Sequence, residues 1–397
     1  MILQIIIATL LGILAGIITG LVPGVHINLV SILLLSFSPI LLTYTSPIIL
    51  AVFIISMAIN HTFLNALPAI YLGAPEESTI LNVLPGHKYL LQGKGYEALK
   101  LTVIGSLFAL ILSILISPLI IKILPLIYEI IKQYIAYILI LSSIFLIFRE
   151  NKKLLALIIF FLAGTFGIAV LNLNIKNPLF PLLSSLFGIS GLLISLKDKV
   201  NIPKQIISHP KIFSLETLKA VTSGTLVGTF TTMMPGLGPA QAAIIGSQIV
   251  KLKDSGFLIL VGALDTLSMV MSLIAIFSIN KARNGAIITI SRLLETISSS
   301  DLKLFFIIVL ITGFIATFLS LNFAKIFSKL ITKINYQKLC IAIIILIIGM
   351  TIFLSSWLGL LILFIGSFLG LVPPLLGVGR NHLMGCLMLP VILFFLL

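Results

Sequence analysis

The chain has 397 residues, of which 59% are hydrophobic and only 9% are charged. A soluble domain carries about 25% charged residues, so this composition excludes a water-soluble globular protein and indicates a polytopic membrane protein. The net charge of +14 fits the bias of Lys and Arg toward cytoplasmic loops. Because the lysines cluster in loops without interleaved aromatic residues, nucleic acid is not an expected partner.

Apolar runs of about 20 residues recur along the whole chain, which predicts an all-α polytopic fold with about 12 to 14 hydrophobic segments. The first run starts at Met1 without a basic region before it or a small-residue cleavage pattern after it. We therefore expect it to be retained as the first membrane segment. Cys340 and Cys386 lie in apolar runs without the cysteine neighbours of a metal cage, so we interpret them as packing or lipid-facing residues.

The first apolar run contains a pattern that returns in the second half of the chain. Gly12, Gly16, Pro23 and Gly24 recur 212 positions later, in the same order and spacing, as Gly224, Gly228, Pro235 and Gly236. A duplicated membrane segment broken by Pro-Gly is typical of secondary transporters built from repeats. We therefore predict two transmembrane repeats, residues 1–196 and 220–397, each containing a helix hairpin broken at Pro-Gly.

The most polar stretch, residues 197–219, carries five lysines and two prolines near the middle of the chain. We predict that it is a cytoplasmic linker between the repeats. The basic loop at 149–153 has an uncharged counterpart around Ser355 and Ser356, and the basic loop at 325–338 has a weakly charged counterpart at 122–132. Corresponding loops thus exchange their basic character, which predicts that the two repeats are inverted.

The two Pro-Gly breaks predict the substrate site. Proline and glycine interrupt a helix, and a break in lipid is tolerated only where protein or a water-filled cavity receives the unpaired backbone groups. The helix that follows the break points its amide groups at that cavity, which suits a carboxylate. A tight turn at the membrane surface is the alternative interpretation. The predicted substrate contacts near the breaks are Pro23, Gly24, His26, Asn28, Thr232, Pro235, Gly236, Gly238 and Gln241.

Three acidic residues are candidates for coupling transport to an ion gradient. Glu76 and Glu77 follow an apolar stretch, where paired carboxylates bind Na⁺ or relay protons. They alternatively form a helix N-terminus after Pro75, where acids are favoured. Asp265 lies inside a longer apolar run, where an ionisable residue indicates function. We expect Na⁺ or H⁺ as the coupling ion and no other cofactor.

Further polar residues interrupt apolar segments. Asn60, His61 and Asn65 either line a polar path or form hydrogen bonds between helices. Arg380 lies beside a Gly/Pro break near the carboxyl terminus, where it is a candidate clamp for a substrate carboxylate. The alternative role of Arg380 is an anchor that reaches to the lipid headgroups.

Several of these motifs resemble the large membrane subunit of the tripartite tricarboxylate transporters, in particular shorter archaeal-type members. The resemblance rests on Gly16, Gly20, Pro23 and Gly24, on the block from Tyr71 to Gly86, on Gly93-Lys94-Gly95, and on the Pro235–Pro239 stretch. It implies a permease for carboxylic acids that works with a small membrane subunit and an extracytoplasmic binding protein. Glu76 and Glu77 stand where the family has a Gly/Ser/Thr-rich stretch, which leaves the charge of the substrate open.

These observations together predict an ion-gradient-driven secondary transporter in the cell membrane. Its substrate is expected to be a small organic anion, in particular a carboxylate, and its other partners are membrane lipid and a second copy in a homodimer. An intramembrane enzyme acting on a lipid-linked substrate is the alternative. No HExxH zinc motif and no nucleophile motif occur in the sequence, so we predict that the protein is not an enzyme.

Overall fold

The computed structural model describes residues 1–22, 27–72, 83–197, 202–208, 210, 212–232, 238–282, 284–333 and 335–397. All regular secondary structure in these ranges is helical. The predicted all-α fold class is therefore confirmed.

The described residues of the first half of the chain contain nine α-helices. They are α1 (Ile2–Leu21), α2 (Ile27–Leu41), α3 (Pro47–Leu64), α4 (Val83–Leu91), α5 (Gly95–Ile131), α6 (Ile135–Arg149), α7 (Lys153–Asn172), α8 (Leu179–Leu183) and α9 (Ser190–Lys197) in the described ranges. Short π-helical segments, Pro68–Leu72 and Ser184–Ile189, follow α3 and α8.

The described secondary structure of the second half is also helical. Its described helices are α10 (Leu215–Thr232), α11 (Pro239–Ile249), α12 (Asp254–Ile279), α13 (Gly285–Leu294), α14 (Ser299–Leu330), α15 (Tyr336–Leu376) and α16 (Gly385–Leu396), with a 3₁₀ turn at Arg380–Met384 before α16. Helix α10 begins inside the predicted linker 197–219, with Glu216 in its first turn, where an acid is favoured by the helix dipole.

Eight helical segments in the described ranges are long and apolar enough to cross a membrane, which makes the chain a multi-pass membrane protein. They are Ile2–Leu21, Pro47–Leu72, Gly95–Ile131, Lys153–Asn172, Leu179–Lys197, Asp254–Ile279, Ser299–Leu330 and Gln337–Leu376. Eight is below the 12 to 14 hydrophobic segments expected from sequence, for two reasons. First, the 41-residue α15 joins two apolar runs across a kink at Ser356 (φ 59°). Second, α2 and α11, which follow the two predicted Pro-Gly breaks, have only 15 and 11 residues, too few to span about 30 Å of hydrocarbon.

Contacts between helix ends fix the direction of α5 and α12. Lys88, just before α5, forms an ion pair with Asp254 at the start of α12 (Nζ–Oδ2 2.6 Å). At the other end, Lys281, just after α12, donates a hydrogen bond to Tyr128 of α5 (Nζ–Oη 2.5 Å). The two helices are therefore parallel.

Helices α3 and α14 run in the opposite direction. Tyr71, beyond the end of α3, lies beside Gly95 at the start of α5, and its hydroxyl is 2.7 Å from Ser328 Oγ near the end of α14. Ser320 of α14 also donates to the carbonyl of Phe63 in α3 (3.1 Å). Because α3 ends where α5 and α12 begin, α3 and α12 are antiparallel.

The described part of the linker is held against the start of α5. Ile206 N donates to Gly93 O (2.7 Å), Gln205 Oε1 accepts from Gly95 N (2.8 Å), and Ser208 Oγ donates to Glu97 Oε2 (2.7 Å). Gly93 has a positive φ of 76°, which glycine adopts without steric cost. The linker therefore lies at the same end of the molecule as the starts of α5 and α12.

The buried apolar residues in the described part of the chain form two cores. The first core is built mainly by α1, α3, α5, α10, α12, α13 and α14, and the second core by α6, α7, α8, the second half of α15 and α16. In the second core, Glu150 Oε2 accepts from Gly379 N (3.2 Å) and lies 3.1 Å from His382 Nε2. These contacts join the turn between α6 and α7 to the turn between α15 and α16.

Candidate transport site

The centre of the first core is a polar crossing of α3 and α12. Asn65 Nδ2 donates to Asp265 Oδ2 (2.8 Å), and the hydroxyls of Thr62 and Thr266 are 3.2 Å apart. Asp265 is only 5% exposed. An ionisable residue at such a place is costly to bury and typical of an ion or substrate pathway, so the crossing is the candidate centre of the site.

Helix α1 packs closely along α3 through a glycine stripe. A Cβ at Gly12, Gly16 or Gly20 would stand 2.5 to 2.8 Å from atoms of α3, including Leu64 Cβ beside Gly20. Glycine at every fourth position lets two helix backbones approach closely in a membrane. The stripe brings the end of α1 to the level of Asn65.

Two polar residues of α3 use this close approach. Asn60 Nδ2 donates to the carbonyl of Ile13 in α1 (2.8 Å), and His61 Nδ1 lies 3.1 Å from Thr19 Oγ1. Asn60, His61 and Asn65 therefore form hydrogen bonds between helices, one of the two roles that the sequence left open.

Helix α10 packs on α12 as α1 packs on α3. Gly16 faces Met57 and Asn60, whereas Gly228 faces Leu264 and Leu267. The offset is 212 positions between the glycines and 207 between the residues they face. A glycine of one helix therefore packs against a neighbouring helix in a similar way in both halves of the chain.

The end of α10 reaches the same crossing from the other side. A small cleft there is lined by Gly228, Thr231, Thr232, Pro239, Leu264, Ser268 and Ser272. Ser268 follows Asp265 by one helical turn, and its hydroxyl donates to the Asp265 carbonyl (2.7 Å). The flanks of both predicted helix breaks therefore lie within about one turn of the Asn65–Asp265 pair.

The described residues place the predicted substrate contacts as follows. Asn28 lies in the first turn of α2 beside Gly285 of α13, Thr232 lines the cleft, and Gly238 is the N-cap of α11. Gln241 lies in the first turn of α11. Arg380 is in the 3₁₀ turn of the second core, so the structure does not bring it to the crossing.

The remaining predicted site residues lie outside the described residues. They are Pro23, Gly24 and His26 at the first break, Pro235 and Gly236 at the second, and the candidate coupling residues Glu76 and Glu77.

Four residues that sequence reasoning did not single out belong to the site. Thr62 and Thr266 meet at the crossing, and Ser268 and Ser272 line the cleft. A signal for the serines was present, because Asp265, Ser268 and Ser272 follow the i, i+3, i+7 spacing of one helix face within a strongly apolar run.

Apolar spanning helices around a buried polar crossing define a multi-pass protein of the cell membrane. A family model described as the tripartite tricarboxylate transporter TctA family matches residues 6–385. The chain therefore belongs to this family, as its motifs predicted. The family comprises permease components of tripartite transport systems and not enzymes, so the alternative of an intramembrane enzyme is set aside.

One curated relative is an uncharacterized protein of the archaeon Methanocaldococcus jannaschii. It is 32% identical over 357 residues, which cover 87% of this chain and 88% of the relative. No solved structure matches the chain.

Proposed function

We propose that this chain is an ion-gradient-driven secondary transporter for small organic anions, in particular carboxylates. The observation that carries the proposal is that the ends of α1 and α10, which flank the two predicted helix breaks, both lie close to the buried Asn65–Asp265 pair. Secondary transporters hold substrate and coupling ion near the midplane, where broken helices from two repeats meet. The inverted repeats, 1–196 and 220–397, remain part of this proposal.

The substrate binds at the two breaks in this proposal. Helix α2 begins at Ile27 and α11 at Pro239, immediately after the breaks, so each presents its first amide groups and positive dipole end toward the break. The Pro-Gly residues Pro23, Gly24, Pro235 and Gly236 would place the backbone close to the anion. Side chains of His26, Asn28 and Gln241 would supply further contacts.

Asp265 couples substrate movement to the ion gradient. Its carboxylate is buried between the two halves of the chain, and a buried charge requires a proton, a cation or strong hydrogen bonds. Binding of Na⁺ or H⁺ therefore changes the electrostatic cost of holding an anion at the neighbouring breaks. Glu76 and Glu77 are second candidates for the same role.

The two cores suggest which parts move. The first core contains residues of α1, α2, α10 and α11, which form the predicted hairpins, together with the crossing, whereas the described residues of the second core include none of these. Relative movement of two packed bodies is a common way for a transporter to give access to each side in turn. In this proposal the chain works together with a small membrane subunit and an extracytoplasmic binding protein. It assembles as a homodimer.

Uptake into proteoliposomes that contain this chain alone tests the proposed function. Labelled di- and tricarboxylates are offered while Na⁺ and proton gradients are imposed separately, with protein-free liposomes as the control. We expect accumulation above equilibrium under one of the two gradients, abolished when the gradient is collapsed by an ionophore. If purified partner subunits restore no uptake to an inactive preparation, and no carboxylate binds, the proposed substrate class is wrong.

A further inference from the structure

The cleft at the end of α10 has the chemistry of a cation site. Its polar lining consists of hydroxyl groups from Thr231, Thr232, Ser268 and Ser272. The cleft has room for about one water molecule, which is too little for a di- or tricarboxylate. A ligand that fits is therefore a small ion or water.

The hydroxyl protons are directed away from the cleft. Thr231 and Thr232 both donate to the carbonyl of Gly228 (3.2 and 2.7 Å), and Ser268 donates to the carbonyl of Asp265. A hydroxyl that has donated its proton offers oxygen lone pairs to any further partner. Lone pairs of this kind are ligands for a cation and are repelled by an anion.

Ser272 points to the same conclusion independently. Its side chain lines the cleft while the residue is 1% exposed, and no hydrogen bond to it is found within the described ranges. Polar groups at such depth normally have a partner. A cation in the cleft would supply that partner to Ser272 without requiring any change in the helices.

The backbone around the cleft carries both signs, because the carboxyl-terminal part of α10 favours positive charge and α11, whose first residue Pro239 also lines the cleft, brings its positive dipole end. The last described residues of α10, Thr231 and Thr232, line the cleft, and the carboxyl-terminal part of a helix carries the negative side of its dipole. Carbonyls at the ends of broken helices commonly coordinate Na⁺ in transporters. Pro239, the first residue of α11, has no amide hydrogen that could compete for an anion.

The type of cation follows from the ligands. The described residues that line the cleft carry no titratable side chain, so they do not bind a proton by themselves. They also include no carboxylate, whereas sites for Mg²⁺ and Ca²⁺ are normally built with carboxylates. A monovalent cation remains, and Asp265 one turn away supplies a negative charge that stabilises it.

The corresponding place in the first repeat has different residues. The offset of 207 pairs Ser268 with His61 and Ser272 with Asn65, which are larger side chains already engaged with Thr19 and Asp265. The cation chemistry is therefore a property of the second repeat.

We infer that the cleft between α10 and α12 binds Na⁺ and that this is the coupling ion of the transporter. The inference rests on the proposed function only for the coupling role, because binding of Na⁺ can be measured without any substrate. Na⁺ and the anion then occupy neighbouring places, both close to the stretch that joins α10 to α11.

Binding of ²²Na⁺ to the full-length protein in detergent tests the inference. We expect saturable binding that K⁺ competes for poorly, and at least tenfold weaker binding in Ser272→Ala, with most of it retained in Ser272→Thr. The matched control is Ser278→Ala on the same helix, whose hydroxyl donates to Ile274 O outside the cleft. It should bind Na⁺ as the unchanged protein does.

The outcomes separate this site from the proposed function. Saturable Na⁺ binding that is sensitive to Ser272→Ala supports the site, even if no carboxylate is transported. Carboxylate uptake driven by a proton gradient, in a protein that binds no Na⁺, overturns the site while the proposed function stands. Equal Na⁺ binding in Ser272→Ala and Ser278→Ala also overturns it.

Discussion

Asp265→Asn is expected to lower gradient-driven accumulation of substrate by about a hundredfold while leaving the fold intact. The amide keeps the shape of the carboxylate and can still accept a hydrogen bond from Asn65, so the crossing of α3 and α12 remains. What is lost is one buried negative charge. At about 6 Å and an effective dielectric constant of about 20, its attraction for a monovalent cation is about 3 kcal/mol, or roughly a hundredfold in affinity.

The measurement is uptake against a gradient compared with exchange of labelled for unlabelled substrate. Accumulation should fall by about a hundredfold in Asp265→Asn, whereas exchange, which needs no net ion movement, should persist. Asp254→Asn is the matched control on the same helix, because Asp254 is 51% exposed and pairs with Lys88 at the surface. An exposed pair of this kind contributes little. Normal accumulation in Asp265→Asn would remove this residue from the coupling mechanism.

Gly262→Val should prevent assembly of the first core. A Cβ at Gly262 would overlap the carbonyl of Thr102 in α5, and one at Gly105 would overlap the carbonyl of Ile259 in α12. Ser106 Oγ also donates to Gly262 O (3.0 Å). The contact is between backbones, so no side chain can turn aside to relieve it. Overpacking at such a contact costs about 3 kcal/mol or more.

Size-exclusion chromatography and thermal unfolding in detergent measure this effect. We expect Gly262→Val to yield aggregated protein or a midpoint lowered by many degrees. The control is Gly349→Val in α15, where an added Cβ meets no atom within 4 Å. That variant should unfold at or slightly above the original temperature, since glycine is a poor helix former. Equal behaviour of the two variants would contradict the close contact of α5 and α12.

Much of the membrane architecture could be read from the sequence, because local signals encode it. Apolar length identifies the spanning helices, and the Gly-xxx-Gly spacing of Gly12 and Gly16 anticipates the tight packing of α1 on α3. Asp265 is a candidate site residue from sequence because a charge within an apolar run is rare, and its role stays a prediction. These inferences depend on residues close together in the chain.

The crossing itself could not be predicted, because its partners are far apart in sequence. Asn65 and Asp265 are separated by 200 positions, and the sequence around either residue does not predict a contact with the other. The cleft depends on the same long-range packing, since the stretches around Thr232 and Ser272 must first be placed together by α10 and α12. Arg380 is the opposite case. A local Gly/Pro pattern predicts a substrate contact for Arg380, whereas the fold places this residue in the second core.

The kink in α15 was also not predictable from the sequence. Ser356 adopts a positive φ of 59°, a conformation that is uncommon for residues other than glycine. Its neighbour Ser355 donates to Asn177 O (3.2 Å), so a contact between distant segments accompanies the unusual backbone. The sequence predicts an uncharged loop around Ser356 but does not predict its backbone conformation.

The most direct test of the central claim is the mutual effect of Na⁺ and carboxylate on each other's equilibrium binding to the purified chain. If the two occupy neighbouring coupled sites, Na⁺ must raise carboxylate affinity and the carboxylate must raise Na⁺ affinity by the same factor, typically about 5 to 150. We expect this reciprocity in the unchanged protein and its loss in Asp265→Asn. Carboxylate binding that is indifferent to both Na⁺ and pH would contradict an ion-coupled transport site at this crossing.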